Sequence, residues 1–211
     1  MKYLRRIIIA LLSVMLIVGC QAKATPTKVV EKFLTAVKEK DEETLAEVYE
    51  GELSEFDTLG SWIDSLVSKY KLTDEQKEVV TTVKDAMYDF DFEVLEEEIN
   101  EDKTEAKVKV KILTHKFSTI YTKIVQDFLQ KFTELSIDKA TKEEKAQALI
   151  DVIKDNFEDT GAKSKESNLT LNLKKNEKGK WIVEKLSTSK FNRFKGGIQA
   201  AIDEFGDIFG S

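Results

Sequence analysis

Tyr88, Phe90, Phe92 and Val94 alternate with Asp89, Asp91 and Glu93, and Ala106, Val108, Val110 and Ile112 alternate with Lys107, Lys109 and Lys111. A period of two sends successive side chains to opposite faces, so both runs read as half-buried strands with Asn100–Lys103 as the turn between them. If they pair as a hairpin, an acidic outer face meets a basic one, each pair contributing about 0.2–1 kcal/mol. A second alternating set, Leu169, Leu171 and Leu173, is followed by the turn Asn176-Glu177-Lys178-Gly179 and an answering strand Trp181–Leu186.

The rest of the chain carries the helical period. Thr25 is placed to cap a helix with Pro26 at its first position and Val29, Val30, Phe33, Leu34 and Val37 on one face. Asp41 opens a shorter helix that ends at Gly51. Ser61–Tyr70 reads as a helix, and a Thr73/Gln76 capping box opens another that runs to about Ala86. Between the strand pairs lie two more: a stripe from Phe117 through Tyr121, Phe128 and Phe132 to Leu135, and a helix opened by the box Thr141/Glu144 and stopped at Gly161. Phe194, Ile198, Ala201, Ile202, Phe205 and Phe209 make a last amphipathic helix over 191–211, weakened by Gly196, Gly197 and Gly206. The expected fold is α+β: N-terminal helices on a curved, cone-like antiparallel sheet of about four strands, a helical hairpin inserted between the strand pairs, and a C-terminal helix.

The opening Thr-Pro-Thr-Lys-Val-Val-Glu-Lys-Phe-Leu helix pair over 25–51 and the Gly-Lys-Trp-Ile-Val strand within 169–186 resemble small Gram-positive lipoproteins with a nuclear-transport-factor-2-like, cystatin-like domain of unknown function. The resemblance implies such a domain over 25–190, with 117–161 as a helical insertion, and a cone that can hold a pocket. It implies no particular reaction, since that superfamily includes isomerases, dehydratases and non-catalytic binders.

The first 20 residues say where the chain resides. A basic start, the apolar run Ile7–Val18 and Gly19-Cys20 form a secretory leader, and the run is short of the roughly 20 residues that span a bilayer. Ile17-Val18-Gly19-Cys20 resembles a bacterial lipobox, which implies cleavage between Gly19 and Cys20 and S-diacylglycerol plus N-acyl (palmitate-type) modification at Cys20. On that reading 1–19 is a signal peptide and 20–24 a lipidated tether to the lipid bilayer, on the outer face of the cell membrane. Two or more acyl chains anchor stably, at about 0.8 kcal/mol per buried CH2.

Composition removes whole classes of function. Cys20 and His115 are the chain's single cysteine and histidine, so no Cys/His metal cluster and no disulfide framework can form. The formal charge is -6, becoming -9 once the leader's Lys2, Arg5 and Arg6 are gone, which argues against nucleic acid as a partner. No cofactor or metal is expected. The acidic run Glu96-Glu97-Glu98 with Glu101-Asp102 lacks the spacing of a calcium loop, as does the stretch around Gly161. Asp89 and Asp91 are expected on the outer face opposite lysines, and His115 exposed at a strand end, so no catalytic residue is assigned. Tyr88, Phe90, Phe92, Tyr121 and Trp181 are the candidate lining of a ligand pocket. The expected function is a non-enzymatic, membrane-anchored module of the cell envelope that binds a small ligand, a peptide or a protein. The alternatives are a hydrolase or isomerase with a polar site inside the cone, and an envelope scaffold acting through the helical insertion.

Overall fold

A computed structural model describes residues 24–56, 58–137, 140–160, 162–198 and Ala201. The leader, Cys20, all of the tether except Ala24, and the tail positions Ile202, Phe205 and Phe209 lie outside the described residues. The helices are α1 (Pro26–Glu39), α2 (Glu42–Val48), α3 (Thr58–Val67), α4 (Asp74–Asp85), α5 (Phe117–Ile137), α6 (Lys142–Thr160) and α7 (Thr188–Phe194). The strands are β1 (Asp91–Ile99), β2 (Glu105–His115), β3 (Lys163–Lys175) and β4 (Trp181–Val183). They form one antiparallel sheet in the order β1-β2-β3-β4, and the expected α+β class is what is found. The α5–α6 hairpin leaves the sheet at the end of β2 and returns at the start of β3, and those two strands then pair from Glu105↔Lys174 to His115↔Lys163.

The caps form as their chemistry dictates. The Thr25 hydroxyl accepts from Lys28 N, Asp41 accepts from Thr44 N, and the Thr73/Gln76 box is closed in both directions. Thr141 N donates to Glu144 Oε2 at 2.7 Å while Glu144 N donates to Thr141 Oγ1 at 3.2 Å, completing the second box. Each cap satisfies backbone donors that the first helical turn leaves without partners.

One face of the sheet is a solid apolar layer. Val108, Val110, Ile112, Leu171 and Val183 have no exposed surface, and α1 lays Val30, Phe33, Leu34 and Val37, equally buried, across them. Each such side chain contributes about 1.5–3 kcal/mol. Phe194 of α7 closes the layer, with its ring 4.7 Å from Phe90 and 5.2 Å from Phe56. The C-terminal segment therefore covers its own sheet: Phe194, Ile198 and Ala201 are all buried. Among the described residues the face of the sheet expected to line a pocket is packed with buried side chains.

Several boundaries differ from the sequence expectation. Tyr88 belongs to a 3-10 turn, Ala86–Tyr88, so β1 begins only at Asp91. A register shift between Val94 and Glu96 leaves Leu95 as an extra, exposed residue. The bulge twists this edge strand, and its glutamates discourage pairing with another chain. The third helix spans Thr58–Val67 rather than Ser61–Tyr70. β3 starts at Lys163, well before Leu169, and β4 stops at Val183, three residues short of Leu186. Besides its pairing with β3, β4 is held by Tyr49, which bridges Val183 in parallel and accepts Leu186 N at its hydroxyl, 3.1 Å away. Helix α7 runs from Thr188 to Phe194 and stops before Gly196 and Gly197, which take positive φ; beyond them Ile198 and Ala201 are again helical, and the rest of the expected 191–211 helix lies outside the described residues.

Candidate functional site

Polar chemistry gathers at the sheet end where β2 passes into α5. A register shift between Thr114 and His115 leaves Ser164 of β3 without a partner. Two consecutive residues of β2 are both buried, Thr114 at 1% exposure on the core face and His115 at 6% on the opposite face, where Phe117 and Phe157 pack against it. This corrects the expectation of an exposed histidine. The imidazole lies between the rings of Phe117 and Phe157, 5.4 and 5.7 Å away, and its Nε2 is 3.5 Å from Asp89 Oδ2, an ion-pair separation longer than a good hydrogen bond. Its Nδ1 makes no hydrogen bond to a described residue.

Asp89 and Asp91 share one cation. Lys163 Nζ stands 3.0 Å from Asp89 Oδ1 and 3.0 Å from Asp91 Oδ2, with Lys38 Nζ 3.5 Å from Asp91 on the other side. The aspartates do face lysines, but not across the β1–β2 ladder as expected: the residue opposite Asp91 there is Leu113. The outer ladder does hold for Glu93 and Lys111, which pair at 2.8 Å. Burial pushes the Asp89 carboxyl up, and Lys163 with His115 more than offsets it, so the group lies below the usual carboxylate range. The hydrogen bond from Lys163 is the largest of the effects that lower Asp91. Both carboxyls are thus depressed on folding. They stabilise the fold above the ordinary aspartate range, and that stabilisation is lost as pH falls through their folded values. Lys163→Met is expected to flatten the acid limb of the stability curve below about pH 4, with at most about 1 kcal/mol lost near neutrality because the aspartates are half exposed. Urea midpoints measured across that range check it.

The five aromatic candidates do not surround one space. Phe90 and Phe92 meet, with centroids 6.4 Å apart. Tyr88 lies under Lys40 Nζ, 4.6 Å from its ring. Tyr121 is fully buried on α5 and packs 4.4 Å from Trp62. Trp181 is at the other end of the sheet, beneath Lys175 Nζ at 4.8 Å. Phe90 and Tyr121 are core residues. The acidic run is also part of the framework at one point, since Thr27 N and Thr27 Oγ1 both donate to Glu97 Oε2, at 2.8 and 2.6 Å. Among the described residues no three His, Cys, Asp or Glu side chains converge as a metal site.

Space for a ligand lies on the surface. A cleft of about 350 Å3 opens beside the β1–β2 turn, lined by Glu98, Glu105, Lys107, Asn172 and Glu184 together with exposed Ile99 and buried Leu173. A groove of about 290 Å3 runs between α4 and α6, floored by Val79, Val83 and Phe157 and rimmed by Glu75, Glu78, Lys154 and Glu158. Two shallower polar shelves lie beside Asn192 of α7 and along the exposed side of α1. None of the four includes His115, Asp89 or Asp91. Helical periodicity could have pointed to the groove, because half-buried Val79 and Phe157 widen the apolar stripes of α4 and α6 beyond buried residues such as Val83.

No model of a known protein family matches the chain, and no curated protein matches it either. Among solved structures the chain is similar to ycdA, a candidate lipoprotein of Bacillus subtilis, with a TM-score of 0.40 and 17% identity over 74% of this chain and 50% of that one. The chain spans half the length of that protein, and a likeness at this level fixes neither fold nor function. Among the described residues no helix is long and apolar enough to cross a membrane.

Proposed function

We propose that the protein is a lipid-anchored module on the outer face of the cell membrane, non-enzymatic, which binds a peptide or protein on its surface. The observation that carries this reading is Gly19-Cys20 directly after a short apolar leader, six residues ahead of Pro26, where α1 begins. The assignment to nuclear-transport-factor-2-like domains belongs to the same proposal, supported by the helix pair ahead of an antiparallel sheet with a helical insertion.

On this reading the fold would orient the anchored protein. The Thr27–Glu97 contact sets the start of α1 beside the end of β1, and the β1–β2 and β3–β4 turns lie at that same end of the sheet. Four residues lie between Cys20 and Thr25, so the five steps reach at most about 18 Å; this end would face the bilayer and the α5–α6 connections would point away from it. The filled sheet interior favours surface binding over an enclosed small-molecule site.

The imidazole–carboxylate contact of His115 and Asp89 favours the hydrolase or isomerase alternative. That chemistry needs a substrate proton within hydrogen-bond reach of the ring, and this ring is packed between Phe117 and Phe157.

Growth of the native host with a clickable palmitate analogue tests the anchor. The wild-type chain is expected to carry the label, and Cys20→Ser to lose it and migrate as the leader-bearing precursor. A labelled Cys20→Ser chain, or an unlabelled wild type, would overturn the proposal.

A further inference from the structure

We propose that the groove between α4 and α6 is a receptor for an arginine side chain of a basic, extended peptide segment. This rests on the reading of the protein as a peptide- or protein-binding module. Size comes first. At about 290 Å3 the groove falls at or below the range of about 300–1,000 Å3 typical of small-molecule sites, so it suits one or two side chains better than a whole ligand.

Its lining selects which side chain. Val79 and Phe157 are half-buried and Val83 fully buried, giving an apolar floor on which a side-chain stem can lie. Three carboxylates, Glu75, Glu78 and Glu158, stand around that floor against one ammonium, Lys154. Lys154 approaches Glu158 only to 3.9 Å, and Glu75 and Glu78 make no ion pair with a described residue. Glu158 also lies in the last turn of α6, where the helix dipole adds negative potential. A cation is therefore the complementary occupant. Guanidinium suits the site better than ammonium because it stacks on an aromatic face and forks to carboxylates. The groove is also accessible on the anchored protein: Phe157 and Glu158 lie just ahead of Lys163, where β3 starts, at the sheet end away from Thr27.

The test uses the mature protein extracted from its host in a neutral detergent, its lipid state read by intact mass on the same sample. Calorimetric titration with a capped tetra-arginine peptide is expected to saturate. Tetralysine should bind more weakly and tetraglutamate not at all. The triple variant E75Q/E78Q/E158Q, three exposed changes that leave the core untouched, is expected to weaken tetra-arginine binding about tenfold. Absent saturation, equal affinity for tetralysine, or unchanged affinity in the triple variant would each overturn the assignment. Glutamate-dependent binding by a sample that carries no lipid would sustain the groove while removing the anchor, so the two failures read separately.

Discussion

Phe194→Ala is expected to lower the unfolding free energy by about 3–5 kcal/mol, the range for deleting a large buried aromatic. Phe194 is 3% exposed and ties its helix α7 to two other parts of the fold, the Phe90 ring ahead of β1 and the Phe56 ring after α2. Both ring contacts are edge-on, an arrangement that adds stabilisation beyond the area buried. Neither neighbour can follow the lost ring, because Phe90 and Phe56 are themselves held at 0% and 1% exposure. The cavity would stay open. Equilibrium urea unfolding gives the number, and a loss below about 1 kcal/mol would mean that α7 adds little to the core.

Gly196→Ala is expected to cost about 2–5 kcal/mol, combining left-handed backbone strain with overpacking. Gly196 has φ +61°, and a Cβ there would meet His115 O and, at 3.1 Å, Phe117 N, both backbone atoms at the β2–α5 junction. No flexible side chain is available to move aside. Neighbouring Gly197 supplies the control. Its φ is +83°, but a Cβ would meet only the Ser118 side chain, at 3.7 Å, so Gly197→Ala carries the strain without the clash. The expected order is wild type, then Gly197→Ala, then Gly196→Ala. Equal midpoints for the two variants would contradict the close approach of α7 to the junction.

The helices were legible wherever capping chemistry and periodicity agreed. Thr25-Pro26, Asp41, Thr73/Gln76 and Thr141/Glu144 all open helices as their side chains dictate. The strand interiors were equally legible, because alternation marks a one-sided sheet. Strand ends were not. Leu95 and Ser164 sit at bulges, where one extra residue shifts every later side chain, and no local preference announces that. The burial of His115 follows from the Phe117 and Phe157 rings packed against it, and its approach to Asp89 from the 3-10 turn ahead of β1. Each depends on a partner distant in sequence. Lys163 was hidden in the same way, since its two aspartates lie more than 70 residues away. The five aromatics share an apolar character but not a location: Tyr121 went with α5 to Trp62, and Trp181 to the opposite end of the sheet.

The intact mass of the protein from its native host, measured without chemical delipidation, tests the central claim most directly. The account predicts a chain that starts at Cys20 and is heavier than residues 20–211 by a diacylglycerol and an N-acyl group. A mass equal to the bare polypeptide from Met1, or to a fragment cut elsewhere with an unmodified thiol, would contradict it.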